Sequence, residues 1–344
     1  MSKKQDQDAD EAWMQLALEE GRKGLGMTSP NPPVGAVIVR DGVLLGAGHH
    51  EKAGGPHAEI QALRATEGQA LTGATIYVTL EPCSTTGRTP PCVEALIASG
   101  IKRVVVGTVD PNPRHAGAGF AALRGAGLEV RAGVLEEECD HLIRFFRKHI
   151  LTGRPYVIAK TGMTLDGRIT PIPGSSQWIT GELARADVQR LRAEVDAILV
   201  GGDTVRKDNP KLTLRGEHAV GRVQPWRVVM TRSGNLPPDA ILFQDEHRDR
   251  TLVFHVEQFE PPLVSLGARG VTSVLLECGG RLMAEAFAGR WVDEVVFYLA
   301  PTIGGGSRRA VEGEGFRASL RSPEVTWFGP DIRYRALVDY PDSP

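Results

Sequence analysis

The sequence predicts two α/β domains in tandem, and three observations lead there. The chain is 344 residues long, beyond the size at which a single hydrophobic core keeps growing. Short apolar runs with strand character alternate with helical patterns along both halves. Between the halves, Thr152-Gly153-Arg154-Pro155 interrupts the alternation with residues that end helices and begin linkers. We therefore expect one domain over residues 11–150 and a second over 154–341.

Composition removes several classes. A hydrophobic content of 41% with 24% charged residues describes an ordinary soluble globular protein. The net charge of −2 offers no field for nucleic acid or an anionic membrane. No apolar run reaches the ~18 residues of a membrane span. The polar start, MSKKQDQDADEAW, lacks the apolar stretch of a signal peptide. The expected compartment is the cytoplasm, where thiols stay reduced. Cys83 and Cys92 are then free for metal, whereas Cys139 and Cys278 read as small buried hydrophobes.

Taken in order, a helix starts near Asp10 with Trp13, Leu16 and Ala17 on one face, and Gly21 and Gly24 end it. Ser29-Pro30-Asn31-Pro32-Pro33 is a rigid loop. Strands over Val34–Val39 and Val43–Ala47 are joined by Asp41-Gly42, a strong two-residue hairpin signal. The second strand delivers His49 and His50. Pro56 suits the first turn of the next helix, which puts His57 and Glu59 at its N-terminus. A buried strand over Ala74–Leu80 ends at Glu81-Pro82-Cys83, and another helix opens at Pro91-Cys92. Ile101–Val109 is a strand, followed by Asp110-Pro111-Asn112-Pro113. Gly117-Ala-Gly119-Phe-Ala-Ala122 is not a dinucleotide fingerprint, because a loop separates it from the strand end where the first glycine belongs. Leu135, Cys139, Leu142, Ile143 and Phe146 predict one amphipathic helix from Leu135 to Ile150.

The second half begins with a strand over Tyr156–Thr161 and a turn at Asp166-Gly167. Thr180 is positioned to cap a helix running to about Glu194, with Glu182 in its first turn. Ala197–Val200, Arg227–Thr231, Thr251–Val256 and Val271–Glu277 read as buried strands of a mainly parallel sheet. Glu277-Cys278-Gly279-Gly280 opens a helix over Leu282–Ala288, where glycines let a phosphate reach free backbone amides. After a strand at Val295–Leu299, Gly304-Gly305-Gly306 reads as a second flexible, amide-rich loop.

The chemistry concentrates on His57-Ala58-Glu59, Pro82-Cys83 and Pro91-Cys92. Catalytic zinc takes three imidazole or thiolate ligands and leaves the fourth position to water. His57, Cys83 and Cys92 make that count, and Glu59 is placed to shuttle the water's proton. The pattern H-x-E…P-C-x-x-C belongs to zinc nucleobase deaminases; here eight residues separate the cysteines instead of two. A nucleic-acid or nucleoside deaminase with a non-catalytic second domain is the alternative. The near-neutral first domain, without a basic stripe, argues against nucleic acid.

Longer runs carry a closer likeness. His57-Ala-Glu59, Glu81-Pro-Cys83-Ser-Thr-Thr-Gly-Arg88-Thr-Pro-Pro-Cys92 and Asp110-Pro-Asn-Pro113 resemble the bifunctional deaminase–reductase family of riboflavin biosynthesis. So do Leu165-Asp-Gly167, Ser176-Gln-Trp-Ile-Thr180, Asp208-Asn-Pro210 and Val292-Asp-Glu294 in the second half. The resemblance spans about residues 11 to 340. It implies a cytidine-deaminase-like three-layer α/β/α domain followed by a dihydrofolate-reductase-like α/β domain. The first would remove the 2-amino group of 2,5-diamino-6-(5-phosphoribosylamino)pyrimidin-4-one using Zn2+. The second would reduce the ribosyl group to ribityl using NADPH. A small phosphorylated pyrimidine is the expected partner, within a homo-oligomer (dimer or tetramer).

By position the resemblance implies His57, Cys83 and Cys92 as zinc ligands and Glu59 as the catalytic proton shuttle. It implies Asn31, His50 and Arg88 as deaminase substrate contacts. Ser176, Arg192, Leu212, Arg215 and Glu277 correspond to reductase substrate contacts. Gly162, Trp178, Thr204, Asp208 and the stretch Gly279, Gly280, Arg281, Leu282, Met283, Ala284, Glu285 would face NADPH. Arg192 and Arg215 have the planar fork that suits a phosphate. The chain departs from the family at Ser29 and Thr85, where histidine is common, at Thr231, where aspartate is common, and at Cys278, where glycine or alanine is common.

Overall fold

The structure, a computed structural model, describes residues 3–85, 91–170 and 178–341. The chain divides into two compact units, one ending at Gly153 and the other beginning at Arg154. Each has its own sheet.

In the first unit, α1 (Lys3–Arg22) precedes the hairpin β1 (Gly35–Arg40) and β2 (Val43–His49). Then follow α2 (Ala58–Ala65), β3 (Thr75–Leu80), α3 (Cys92–Ala98), β4 (Arg103–Thr108), α4 (Ala118–Gly125), β5 (Glu129–Ala132), α5 (Glu136–Leu142) and α6 (Arg144–Thr152). The strand order is β2-β1-β3-β4-β5, antiparallel as far as β3 and parallel beyond it. Asp41 and Gly42 take φ of 51° and 75°, as a two-residue hairpin turn of the primed kind requires. Alternate strand residues face opposite sides. Ile38, Ile76, Val78 and Val104 pack with Ala62, Leu96 and Leu123 of α2, α3 and α4. Val37, Val39, Tyr77 and Val105 pack with Met14, Ala17 and Leu18 of α1 and Cys139 and Leu142 of α5. This is the expected three-layer α/β/α arrangement.

Two expectations need correction. The buried stripe of α1 is Asp10, Met14, Ala17 and Leu18, while Leu16 is 36% exposed. The stripe is led by a carboxylate: Asp10 accepts hydrogen bonds from the Tyr77 hydroxyl at 2.9 Å and from Arg103 Nη1 and Nη2 at 2.7 and 2.8 Å. Counting only apolar residues therefore rotates the face. The helix expected over Leu135–Ile150 breaks at Ile143 (φ −95°, ψ 10°) into α5 and α6. Leu142, Ile143, Arg144 and Phe145 are all buried, with Leu142 in the core on one side of the sheet and Ile143 in the core on the other, so the stripe of a single straight helix does not describe them.

The second unit comprises β6 (Tyr156–Thr164), α7 (Glu182–Glu194), β7 (Ala197–Gly201), α8 (Gly202–Asp208), β8 (Trp226–Thr231), the single turn α9 (Ile241–Gln244) and β9 (Thr251–His255). It continues with α10 (Glu260–Ala268), β10 (Ser273–Leu276), α11 (Gly280–Ala288), β11 (Glu294–Ala300), β12 (Ser319–Phe328) and β13 (Asp331–Asp339). The order is β12-β13-β11-β6-β10-β7-β8-β9. It is parallel from β11 to β9, with β13 and β12 added antiparallel at one edge. One face packs Ala159, Leu199, Val228 and Leu276 against Leu263 of α10 and Met283 and Phe287 of α11. The opposite face is partly polar. There Asp187 of α7 accepts from Tyr298 Oη (2.7 Å), Arg333 Nη1 (2.8 Å) and Arg190 Nε (2.8 Å).

Thr180 does not cap α7. The cap position is Gly181, with no side-chain cap, and its own N–H donates to Asp331 Oδ2 at 2.6 Å, so the helix start is tied by a carboxylate distant in sequence. The hairpin β12–β13 was not expected. Nearly every residue of β12 is exposed, which leaves its sequence without the alternation that marks a half-buried strand.

Candidate active sites

Two helix starts and one strand end meet in the first unit. His57 is the cap residue of α2, so Glu59 lies in its first turn. Cys92 is the first residue of α3, and Cys83 follows β3 through Glu81-Pro82. His57 Nδ1 lies 3.2 Å from Cys92 Sγ and 3.5 Å from Cys83 Sγ. The three ligand atoms are all within 4.8 Å of one another. With metal–ligand bonds of 2.0–2.3 Å, a tetrahedral zinc site has ligand–ligand edges of about 3.5 Å. The residues fit zinc in number, softness and spacing, with a fourth position left over.

The electrostatics suit the same role. The Cys83 thiol falls to about 4, through its hydrogen bond with the Cys92 thiol and the pull of His57 and the Cys92 N–H. The Cys92 thiol is held up by that same bond and by burial; a cation would supply the charge that lets both ionise. Glu59 is 4% exposed, and burial pushes its carboxyl up to about 7. A carboxyl that titrates near neutrality both takes and returns a proton.

Asn31 and His50 sit beside this centre. The His50 ring meets the His57 ring edge-on at 5.4 Å. Its Nδ1 is 2.9 Å from the Pro56 carbonyl and its Nε2 is 3.1 Å from Asn31 Nδ2. Burial pushes this imidazole down, so it is neutral. Nδ1–H donates to Pro56 and Nε2 accepts from the Asn31 amide. Arg88 lies outside the described residues. Thr85 is exposed.

In the second unit, Arg192 of α7 and Glu277, just after β10, form a two-pronged pair. Arg192 Nε and Nη2 each donate to a Glu277 oxygen at 2.8 Å. Lys160 of β6 stands 3.8 Å from the same carboxylate. Burial raises the Glu277 carboxyl, but Arg192 and Lys160 outweigh it and bring it to about 2. Burial pushes the Lys160 ammonium down. Lys160 was not among the expected site residues. Its signal was a single lysine inside the apolar strand Tyr-Val-Ile-Ala-Lys, since a charge at such a place must find a partner.

The other reductase positions are distributed as follows. Ser176 lies outside the described residues. Leu212 is buried with φ of 50°, and Arg215 is exposed. The Lys211 carbonyl before them accepts from Arg227, a guanidinium 1% exposed and paired with Asp245. Trp178 is 55% exposed, with the Arg185 guanidinium 5.3 Å from its ring centre. Gly162 is on β6 opposite Thr180, Thr204 is on α8 and Asp208 is exposed at its end. Gly279 caps α11. Gly280 sits where an added Cβ would fall 2.1 Å from the Arg309 carbonyl. Arg281 is exposed near Glu312, Leu282 is half-buried, and Glu285 pairs with Arg232. Met283 and Ala284 are buried in the core, so only their main chain is available at the helix start. Two amides of the glycine triplet are already engaged. Gly304 and Gly305 N–H each donate to Asp166 at 2.9 Å, so the loop read as flexible and amide-rich is tied to the turn at Asp166-Gly167.

A buried carboxylate beside a His–Cys–Cys centre, on a three-layer α/β/α unit, defines a zinc-dependent deaminase. The parallel sheet with a glycine-opened helix at its strand ends adds a reductase-like unit. Residues 7–108 match the cytidine and deoxycytidylate deaminase zinc-binding region, and residues 155–334 match the RibD C-terminal domain. The chain belongs to the RibD family of riboflavin biosynthesis proteins. It is 45% identical over 320 residues to riboflavin biosynthesis protein RibD of Synechocystis sp., covering 87% of this chain and 86% of that protein. To RibD of Escherichia coli it is 38% identical over 359 residues, covering 94% and 98%. Among solved structures it is similar to a diaminohydroxyphosphoribosylaminopyrimidine deaminase/5-amino-6-(5-phosphoribosylamino)uracil reductase from Thermotoga maritima. That likeness has a TM-score of 0.87 at 35% identity, covering 96% of this chain and 99% of the other. Acinetobacter baumannii RibD matches with a TM-score of 0.86 at 39% identity, covering 97% and 99%.

Proposed function

We propose that residues 11–150 deaminate and residues 154–341 reduce, each with the site residues assigned above. The protein is a bifunctional riboflavin-biosynthesis enzyme, a zinc-dependent deaminase and NADPH-dependent reductase. The observation that carries the deaminase assignment is the convergence of His57 Nδ1, Cys83 Sγ and Cys92 Sγ beside the buried Glu59. Zinc, when bound, supplies Lewis-acid activation of a water molecule at neutral pH. Glu59 is placed to accept a proton from the attacking water and to return one to the departing ammonia, so that the pyrimidine would gain oxygen and lose its 2-amino group. Asn31, its amide aimed by His50, orients the ring, and Arg88 is the candidate for the substrate phosphate.

In the second half, NADPH when bound would supply a hydride for the ribosyl carbon, and the chain must supply the matching proton and hold the sugar. Arg192 and Glu277 are locked against each other and make a rigid wall for substrate. Lys160, whose ammonium is weakened by burial, is the proton source of the cluster. The amides opening α11 at Gly279 and Gly280 suit a cofactor phosphate. Among the described residues no helix is long and apolar enough to cross a membrane. With two thiols required in reduced form, the cytoplasm is the compartment we assign. A homo-oligomer, dimer or tetramer, is the assembly we propose, on the sequence resemblance only.

Chelation tests the division of labour. Dialysis against a strong chelator should abolish ammonia release from the diaminopyrimidinone phosphate, and added zinc should restore it. Oxidation of NADPH with the already deaminated substrate should continue throughout. Loss of both activities together would overturn the assignment of separate sites.

A further inference from the structure

We propose that Glu81 is a positioning residue of the deaminase. It sets the segment from Asp110 to Gly119 against the Cys83 loop and so shapes one wall of the substrate site. Glu81 is buried, 6% exposed, two residues before a zinc ligand. It belongs neither to the ligand set nor to the proton shuttle. Its carboxylate accepts three backbone N–H groups from one segment. Oε2 takes Asp110 N at 3.2 Å and Gly117 N at 3.0 Å, and Oε1 takes Gly119 N at 2.9 Å. Its own N–H donates to the Thr108 carbonyl at 2.9 Å. The main-chain N–H and both carboxylate oxygens thus serve the same junction.

The sheet explains what that junction is for. Strands β3 and β4 are parallel neighbours with Leu80 opposite Thr108. The chains leaving them, toward Cys83 and through Asp110, therefore emerge side by side at the carboxyl edge, where α/β sheets bind ligands. The approach is close. A Cβ on Gly119 would lie 2.3 Å from the Pro82 carbonyl, the residue next to Cys83. Inside the segment, Asn112 N donates to Asp110 Oδ1 at 2.8 Å and Arg114 N to Asn112 Oδ1 at 3.2 Å, which folds it into a compact turn. The turn has no sheet ladder of its own, and Glu81 ties its two ends together, Asp110 after β4 and the start of α4 at Gly117 and Gly119. The role needs two acceptor oxygens on one stem. A glutamine keeps one acceptor and turns an NH2 toward an N–H, leaving at least one buried donor without a partner.

The inference rests on the deaminase assignment, and the two can fail separately. If the parent chain releases no ammonia, the assignment fails; if the parent deaminates, Glu81 is tested by Glu81→Gln in the full chain. Zinc content should stay at the parental level. NADPH oxidation with the deaminated substrate, which reports a folded chain, should be unchanged. The Michaelis constant for deamination should rise about ten- to a hundredfold with a smaller change in turnover, as expected for losing one or two buried hydrogen bonds. Hydrogen exchange should speed up in the 110–119 segment and not in α2. Glu81→Asp keeps the charge and both oxygens on a shorter stem, should fall between parent and Glu81→Gln, and serves alone if the glutamine variant does not fold. Parental kinetics with parental exchange would overturn the proposal. So would loss of zinc with turnover collapsing at unchanged Michaelis constant, which would make Glu81 a support of the ligands instead.

Discussion

Glu59 and Glu277 are both buried carboxylates, and their neighbours send them in opposite directions. Burial dominates at Glu59 and lifts it to about 7; at Glu277 two cations win against burial and bring it to about 2. The first is suited to moving a proton, the second to staying charged. Glu59→Gln should keep zinc, because the ligands are untouched, and lose deamination by about a hundred- to ten-thousandfold. Ammonia release within threefold of the parent would remove Glu59 from the chemistry. For Glu277 the linkage runs with a depressed carboxyl. Its stabilisation is fully present above the ordinary carboxylate value of 4.5 and is lost as pH falls toward about 2. The urea midpoint of Glu277→Gln should therefore lie well below the parent at pH 6, and the gap should be clearly narrower at pH 3, closing only toward about 2. Tryptophan fluorescence is the probe, since four of the five tryptophans (Trp178, Trp226, Trp291, Trp327) are in the second unit. A gap that stays constant from pH 6 to pH 3 would show that the charge of Glu277 contributes nothing.

Elements were legible where one local pattern decided them. The Asp41-Gly42 hairpin, the α2 start at His57 and the parallel strands of the second unit all follow from short-range residue choice and apolar runs. What stayed hidden depends on partners far along the chain. The face of α1 is fixed by Asp10 against Tyr77, Arg103 and Arg131. The start of α7 is tied to Asp331, and two amides of the glycine triplet are tied to Asp166. Lys160 escaped notice for the same reason, because its meaning lies in Glu277 on another strand's end. Asp10→Ala tests the first of these ties. Removing one member of a buried ion pair costs about 3–5 kcal/mol. With Arg103 and Arg131 reaching solvent, the lower figure, about 3 kcal/mol, is expected. That should lower the midpoint for heat loss of deaminase activity by about 6–12 °C and leave NADPH oxidation in place. An unchanged midpoint would mean that α1 is held by its apolar stripe alone.

At the scale of the whole molecule, the two units carry two chemistries that share one substrate skeleton. The first site acts on the pyrimidine ring and the second on the sugar, so neither reaction consumes the group the other needs. The family resemblance identified that pairing from the cysteine loop and the reductase motifs. The structure adds the geometry: three ligand atoms converged on one point and a charge-locked Arg192–Glu277 pair at the strand ends of the second sheet. Since neither site's geometry fixes a sequence, the order of events, deamination before reduction, comes from the family function and is the central claim to test. It is tested most directly by following ammonia and NADPH together when the zinc-loaded chain meets 2,5-diamino-6-(5-phosphoribosylamino)pyrimidin-4-one. Without NADPH, ammonia should be released and the deaminated ribosyl compound should accumulate. With NADPH, one cofactor should be oxidised for each ammonia released, after a lag in which that compound builds up. NADPH oxidation that runs ahead of ammonia, or proceeds without it, would contradict the account.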